Sequence, residues 1–503
     1  MLVCKTLTTS EYDLADSPFP FADVPFLRSL DPPPSSPTCP ITLVPPDILS
    51  HILLRCSGGN YKVDKSTYTK LCLVNRQFFF PAREHLYRNL TIFIRSKFSK
   101  IYLEKMEKAE RRQYRRDLRI LGTVQKVESI GILVKELSLS FETLPPSRSE
   151  ALRLHQLLSH LPNLEKFWLL DDGTGFWGRD KSGHDTGSLE TVLSLVNLRR
   201  LRVLAIPQMR LDSVYTQLVF SKLPALDIYK GTVFSQPSDK DYFIDYNPKT
   251  ATSVSALSRA YITHFASPED LAFIFRPSLD SLRFFHLVLR LENGIVDLSS
   301  LHVLQSLTIT TRLVDHGSFD SGGRVTAGME PREMGARMEE IPNELLANVF
   351  GTLESVKYTS SLTSFCLLNE LTMLLEESKL AVPLFRSLPR SLTELALGPM
   401  AVPHYPWSRF LRNRRLYPSL RKLYLTPTPL SDSDPLSSSE AYFGGVRDLK
   451  ATAGIEVEWV KGFYGWRRWS GREFNPEGTD EEASGKRNKL TMDAITNPTC
   501  IVS

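Results

Sequence analysis

A six-residue pattern, apolar-x-x-apolar-x-apolar, recurs along the chain and constrains its fold more than any other feature. It reads Val134-x-x-Leu137-x-Leu139, Leu164-x-x-Phe167-x-Leu169, Leu198-x-x-Leu201-x-Val203, Leu279-x-x-Leu282-x-Phe284, Leu304-x-x-Leu307-x-Ile309, Leu392-x-x-Leu395-x-Leu397 and Leu420-x-x-Leu423-x-Leu425. The last two apolar positions of each copy are two apart, so both point to one face of a short strand. The first sits on the preceding turn, which lead-ins such as Leu161-Pro162-Asn163 supply. Stretches of helical period separate the copies, as in Ala151–Leu158. Strand, crossover helix and parallel strand is therefore the repeating unit. Each copy buries its apolar face only against its neighbours, so an array is required.

Where copies follow one another directly they stand 25 to 34 residues apart, a spacing that resembles leucine-rich repeats. Leucine is common and one match means little, but seven at related intervals are harder to dismiss. The asparagine ladder of regular repeats is mostly missing, which points to an irregular array with long insertions. Residues 171–187, 237–252, 315–337 and 426–440 are polar, glycine-rich or Pro/Ser/Asp-rich and read as those insertions. At 503 residues the chain exceeds one compact core. The array is expected over 131–469, after a disordered proline-rich leader (1–40) and before a disordered polar tail (470–503). Ile341–Phe350 is expected to be an ordinary crossover helix.

A different pattern occupies 41–94. Val44-Pro45-Pro46-Asp47 starts a helix with proline and an acid in its first turn. Ile48, Leu49, Ile52 and Leu53 then fall on one apolar stripe. Further helices are expected over Tyr68–Phe78 and Pro81–Tyr87. Three short helices make a unit too small to be comfortable without a partner. Next, 95–130 reads as a basic linker helix, Phe98 to about Ile120. Its lysines and arginines read as a solvated face balanced by Glu104, Glu107, Glu110 and Asp117, with a surface for nucleic acid or acidic lipid as the alternative.

Composition excludes several function classes. The formal net charge of +5, spread over the whole length, argues for no nucleic-acid partner. Six cysteines without C-x-x-C pairs, and no Cys/His grouping at zinc spacing, suit a reduced cytoplasmic or nuclear compartment and no metal. No apolar run approaches the roughly 18 residues that span a bilayer. No catalytic motif of the G-x-S-x-G, H-E-x-x-H, Walker or kinase type occurs. His155 and His160 are five apart, the wrong spacing for joint ligation, and Asp171-Asp172 has no basic or nucleophilic companion. Trp466-Arg467-Arg468-Trp469 reads as a cap over the end of the array. The expectation is a protein that is not an enzyme and takes no cofactor.

Leu43-Val44-Pro45-Pro46-Asp47-Ile48-Leu49-Ser50-His51-Ile52-Leu53 resembles the opening of an F-box, and Leu71-Cys72-Leu73-Val74-Asn75-Arg76-Gln77-Phe78 resembles its second half. Phe78 stands where many F-boxes have Trp, Asp47 where Glu is usual, and Ser57–Lys65 is a longer insertion between the halves. The whole is similar to fungal F-box-like proteins with irregular leucine-rich repeats. The resemblance implies an α/β chain: a short three-helix N-terminal F-box, then an irregular leucine-rich-repeat solenoid of parallel strands with crossover helices. It further implies a substrate-recognition adaptor of a Skp–cullin–F-box ubiquitin ligase, whose F-box binds a Skp-type linker protein and through it a cullin. The repeats would hold a target protein that the sequence does not name. Carried onto this chain, linker contacts come from Pro45, Ile48, Leu49, Ile52, Leu53, Leu73 and Val74. The alternative is a repeat scaffold for protein–protein interaction outside any ligase. Finally, Cys500-Ile501-Val502-Ser503 has the form of a farnesylation signal. Peripheral membrane association is expected only if Cys500 is prenylated, and one prenyl chain alone anchors weakly.

Overall fold

The computed structural model describes residues 44–56, 65–74, 76–94, 108–141, 148–169, 194–206, 213–233, 252–265, 268–290, 294–312, 343–369, 385–400, 413, 415–427 and 449–459. The chain divides between Arg88 and Asn89.

Among its described residues the first unit holds three helices, α1 (Pro46–Cys56), α2 (Lys65–Val74) and α3 (Arg76–Arg88). Proline opens α1 where a backbone N–H would lack a partner in any case, and Asp47 complements the positive end of the helix. Helix α3 packs against both others. Leu53, Tyr68, Cys72, Phe79 and Ala82 form the shared core, with Leu71, Phe78 and Leu86 at its edge. The sequence suggests a helix beginning at Pro81, but α3 starts at Arg76 and takes Phe78 from the preceding segment. Pro81 forfeits one hydrogen bond inside this helix. Burial of Phe79, Pro81 and Ala82 offsets that loss.

Among the described residues the second unit is built on one sheet of twelve strands in strict sequence order, every neighbouring pair parallel. These are β1 (Asn89–Ile94), β2 (Glu136–Phe141), β3 (Lys166–Leu169), β4 (Val203–Ile206), β5 (Ile228–Val233), β6 (Arg259–Phe265), β7 (Phe284–Arg290), β8 (Ser306–Arg312), β9 (Ser364–Asn369), β10 (Glu394–Met400), β11 (Lys422–Pro427) and β12 (Glu456–Trp459). The helices lie in the crossovers. Among the described residues they include α4 (Lys108–Lys126) and α5 (Glu128–Gly131) before β2, α6 (Arg148–Ser159) before β3, α7 (Ser213–Lys222) before β5, α8 (Pro268–Phe275) before β7 and α9 (Asn343–Ser355) before β9. Parallel strands taken in order, each joined to the next by a crossover, make a solenoid.

From β1 to β11 register lines up one buried residue per strand: Leu90, Leu137, Phe167, Leu204, Tyr229, Ala260, Phe285, Leu307, Phe365, Leu395 and Leu423. The crossovers cover this face, since Phe220 of α7 meets Tyr229 edge-on at 4.9 Å and Phe275 of α8 meets Phe285 at 4.8 Å. At nearly every step the carbonyl just before one strand accepts two consecutive amides of the next coil. Lys135 O takes Glu165 and Lys166 N–H, Glu165 O takes Arg202 and Val203, and Arg202 O takes Asp227 and Ile228. The series runs on through Asp227, Ser258, Arg283, Gln305, Thr363 and Thr393. This backbone ladder locks the coils in register without help from side-chain identity.

The sheet begins earlier than the spacing suggests. Asn89–Ile94, grouped with the helical unit by sequence position, is its first strand, and the basic helix is the first crossover, not a linker between units. Two motif copies also shift. Register equates Phe167 with Leu204 and Ile262 with Leu287. The true copies are therefore Leu201-x-x-Leu204-x-Ile206 and Leu282-x-x-Phe285-x-Leu287, three residues beyond those read from sequence. Ile341–Phe350 does fall largely within a crossover helix, α9. In place of an asparagine ladder, serine and threonine hydroxyls tie adjacent coils. Leu257 N–H donates to Ser278 Oγ at 2.8 Å, Val296 N–H to Thr352 Oγ1 at 2.8 Å, and Ser281 Oγ donates to Leu257 O at 2.8 Å. Asn163 Nδ2 donating to Ile132 O at 2.9 Å is an asparagine bond of this kind.

Candidate docking surfaces

The linker contacts expected on α1 separate into two sets. Leu49 and Leu53 are buried, at 1% and 5% exposure, whereas Ile48 and Ile52 are 50% and 45% exposed. Pro45 is exposed beside them, its carbonyl accepting the Leu49 amide at 3.1 Å. Each pair is four apart, so the helix turns one aliphatic flank inward and an adjacent one outward. The side chains of Leu73 and Val74 lie outside the described residues. Sequence reasoning passed over Phe80 of α3, which is 51% exposed, with the Arg83 guanidinium 5.7 Å from its ring centre and 5.3 Å from that of Phe79.

His85 ties the three helices together. Its Nε2 is 2.9 Å from Ser50 Oγ on α1, and its ring stacks on Tyr68 of α2 at 5.5 Å. Burial lowers its pKa, against the opposing pull of Glu84 and the Ser50 contact. Cys72 is 2% exposed and its thiol points at Phe79 O, 3.9 Å away. Burial pushes its pKa up to about 11 despite the nearby Arg83 charge, so this cysteine packs and is no ready nucleophile.

In the second unit the strand face opposite the core is the other surface. It carries Glu136, Lys166, Trp168, Lys230, Arg259, Tyr261 and Phe284, all partly exposed. The helix α4 shows Lys108, Arg112, Arg115, Arg119 and Lys126 outward, with spacings that place them on one side. Asp117 on its inner side is buried, 3.4 Å from Arg116 Nε, which supplies one of the balancing acids expected from sequence. Glu104, Glu107 and the Glu110 side chain lie outside the described residues.

His155 and His160 do separate structural jobs, the first bonded to Ser194 Oγ and the second, through Nδ1, to Gln156 O at 2.7 Å. Among the described residues no cluster of three or more His, Cys, Asp or Glu is placed to hold a metal ion, and no helix is long and apolar enough to cross a membrane. Asp171-Asp172, Trp466–Trp469, Cys500, the leader, the tail and most of the four insertions lie outside the described residues.

No protein-family profile matches the chain, and no curated protein matches it. Among solved structures it is similar to the crystal structure of the leucine-rich repeat-containing protein LegL7 from Legionella pneumophila, at 13% identity over 76% of this chain and 91% of that one, with a TM-score of 0.28. The solenoid itself is defined by this chain's own strand order and coil-to-coil ladder.

Proposed function

We propose that this chain is a substrate-recognition adaptor of a Skp–cullin–F-box ubiquitin ligase, the helical unit docking the linker protein and the repeat sheet receiving the target. One observation carries the docking half. Ile48 and Ile52 stay about half exposed on a helix whose Leu49 and Leu53 are already committed to the interior. Two large aliphatics left outside on so small a unit are what a partner would cover. They stand in the segment that resembles the F-box opening, and exposed Pro45 adjoins them. A solenoid suits the second half, since a repeating sheet presents one long surface of outward residues.

The test is a full-length Ile48→Asp/Ile52→Asp variant mixed with a purified Skp-type linker. Covering the open half of each isoleucine contributes about 1 kcal/mol, and burying a carboxylate in its place costs more. Linker affinity should therefore fall at least about 100-fold, with the melting temperature unchanged because both positions face water. Undiminished linker binding sinks the assignment. Leu49→Asp is unsuitable here, since a charge at a buried position unfolds the unit and loses binding for the wrong reason. Co-purification of a cullin with the linker supports the ligase; linker without cullin points to the scaffold alternative.

A further inference from the structure

Helix α4, the first crossover of the repeat unit, has two opposite faces. Tyr114, Asp117, Leu121 and Val124 are buried and recur every third or fourth residue, which seats the helix against β1 and α6. Lys108, Arg112 and Arg119 are exposed on the far side. Their spacing sets them in one straight row about 16 Å long. None of the three takes part in a hydrogen bond, ion pair or ring contact among the described residues. Arg115 and Lys126 stand on the same side, each engaged in an interaction of its own.

The acids of α4 do not reach this row. The helix carries seven cations and two acids, at positions 110 and 117. Both acidic positions fall on the side of Tyr114, away from Lys108, Arg112 and Arg119. Asp117 is buried there, with Arg116 Nε 3.4 Å away. Elsewhere in the unit, surface charge is paired across the coils. Lys135 lies 3.2 Å from Glu165, and Lys166 lies 2.9 Å from Glu136. Like charges at helical spacing repel and weaken an isolated helix. On α4 the buried face holds the row in place against that repulsion, so the cations stand on a fixed support.

We propose that the outward row of α4 lies against the anionic headgroups of a membrane, with Lys108, Arg112 and Arg119 held at lipid phosphates and carboxylates. A straight row meets a plane along its whole length. Each cation brought to such a surface strengthens binding roughly fivefold. The helix does not insert, because its apolar residues are committed to the fold, so the contact is electrostatic. Nucleic acid also offers phosphates, but single strands need open aromatic rings on which bases stack. The aromatic ring of α4, that of Tyr114, is buried. Membrane binding through α4 goes beyond the adaptor role and does not depend on it.

Sedimentation of the full-length chain with lipid vesicles tests this directly. The chain is made in bacteria, where Cys500 stays free of any prenyl group. Vesicles of phosphatidylcholine and phosphatidylserine in about equal parts should carry the chain down, whereas pure phosphatidylcholine should not. That binding should be lost on raising salt from about 0.1 M to about 1 M. Lys108→Gln/Arg112→Gln/Arg119→Gln should bind the anionic vesicles at least about tenfold more weakly, with an unchanged melting temperature. Arg386→Gln/Arg390→Gln/Arg421→Gln removes the same charge from exposed positions elsewhere in the array and should stay within about threefold of wild type. No binding to the anionic vesicles overturns the proposal, and so does binding that survives the higher salt. A loss of less than about tenfold in the α4 variant also overturns it. Equal losses in the two variants overturn it as well, since net charge alone would then account for the binding. A short duplex DNA that binds more tightly than the vesicles at equal phosphate, and is released by the α4 substitutions, assigns the row to nucleic acid instead.

Discussion

Tyr229 and Gly231 show how a single coil departs from the repeat and still packs. In register, Tyr229 stands where other strands carry Leu or Phe, and Gly231 stands level with Ile206 and Ile262. A methyl at Gly231 would run into the Tyr229 phenol, so the large ring uses the space of two ordinary side chains. Gly231→Leu should therefore destabilise by about 1–3 kcal/mol through overpacking, and Tyr229→Leu by a similar amount through the cavity it leaves. The double substitution should recover most of the loss, because it restores the common pattern. Urea unfolding of the four chains measures the coupling, and strictly additive losses would falsify the shared-space account. His286 supplies a second test at this scale. Its pKa falls from 6.5 in the unfolded chain to about 3 in the fold. Above pH 6.5 neither state is protonated and the fold keeps its full stability. As pH drops from 6.5 towards 3, only the unfolded chain gains the proton, and stability falls by about 1 kcal/mol or slightly more per pH unit. Denaturation midpoints between pH 7.5 and 5.5 should slope in the wild type and flatten in His286→Gln.

At the scale of elements, what the sequence discloses follows the chemistry of each position. Five of the seven motif copies lie in register because their flanking residues are unambiguous. Leu195, Leu198, Leu201 and Leu204 instead repeat every third residue, so two frames fit equally well and only pairing with β3 chooses between them. The strands β5 and β6 escape notice because Tyr229 and Ala260 occupy aliphatic positions, and β1 because the forty-odd residues before β2 hide its periodicity. Leu362-x-x-Phe365-x-Leu367 carries the full pattern and is legible once α9 marks the crossover before it. The α1 stripe of four aliphatics is equally plain, but the sequence does not say which pair the core claims. The hydroxyl contacts between coils are also invisible beforehand, since serine and threonine are common in loops. Ser278 is fully buried, accepts the Leu257 amide at 2.8 Å and donates to Ser255 O at 3.3 Å. Ser278→Ala should cost about 1–3 kcal/mol by stranding that amide. Ser300→Ala, at an exposed position, should stay within about 0.5 kcal/mol of wild type. Equal effects from the two in thermal melts would show that the hydroxyl does not hold these coils together.

For the repeat unit as a whole, strict strand order has an energetic consequence. Each coil touches mainly the one before and the one after, so a local defect has few routes by which to spread. Leu307 is fully buried on β8, paired to Phe285 on β7 and Phe365 on β9. Leu307→Ala should cost about 2–5 kcal/mol locally. A sandwich or barrel core of the same size would distribute that loss over every strand. A linear array should concentrate it in the coils of β7 to β9, where backbone amides lose hydrogen-exchange protection, while β2 and β3 keep theirs. The coil carbonyls of Arg283, Gln305 and Thr363 bracket this region, each holding two amides of the following coil. Exchange at those paired amides reports the defect directly. Uniform loss of protection from β2 to β11 would mean that the sheet unfolds as one cooperative block. A graded loss centred on β8 would mean that the ladder transmits stability only between neighbours. The second outcome would let outward residues on one coil diversify without unsettling distant ones.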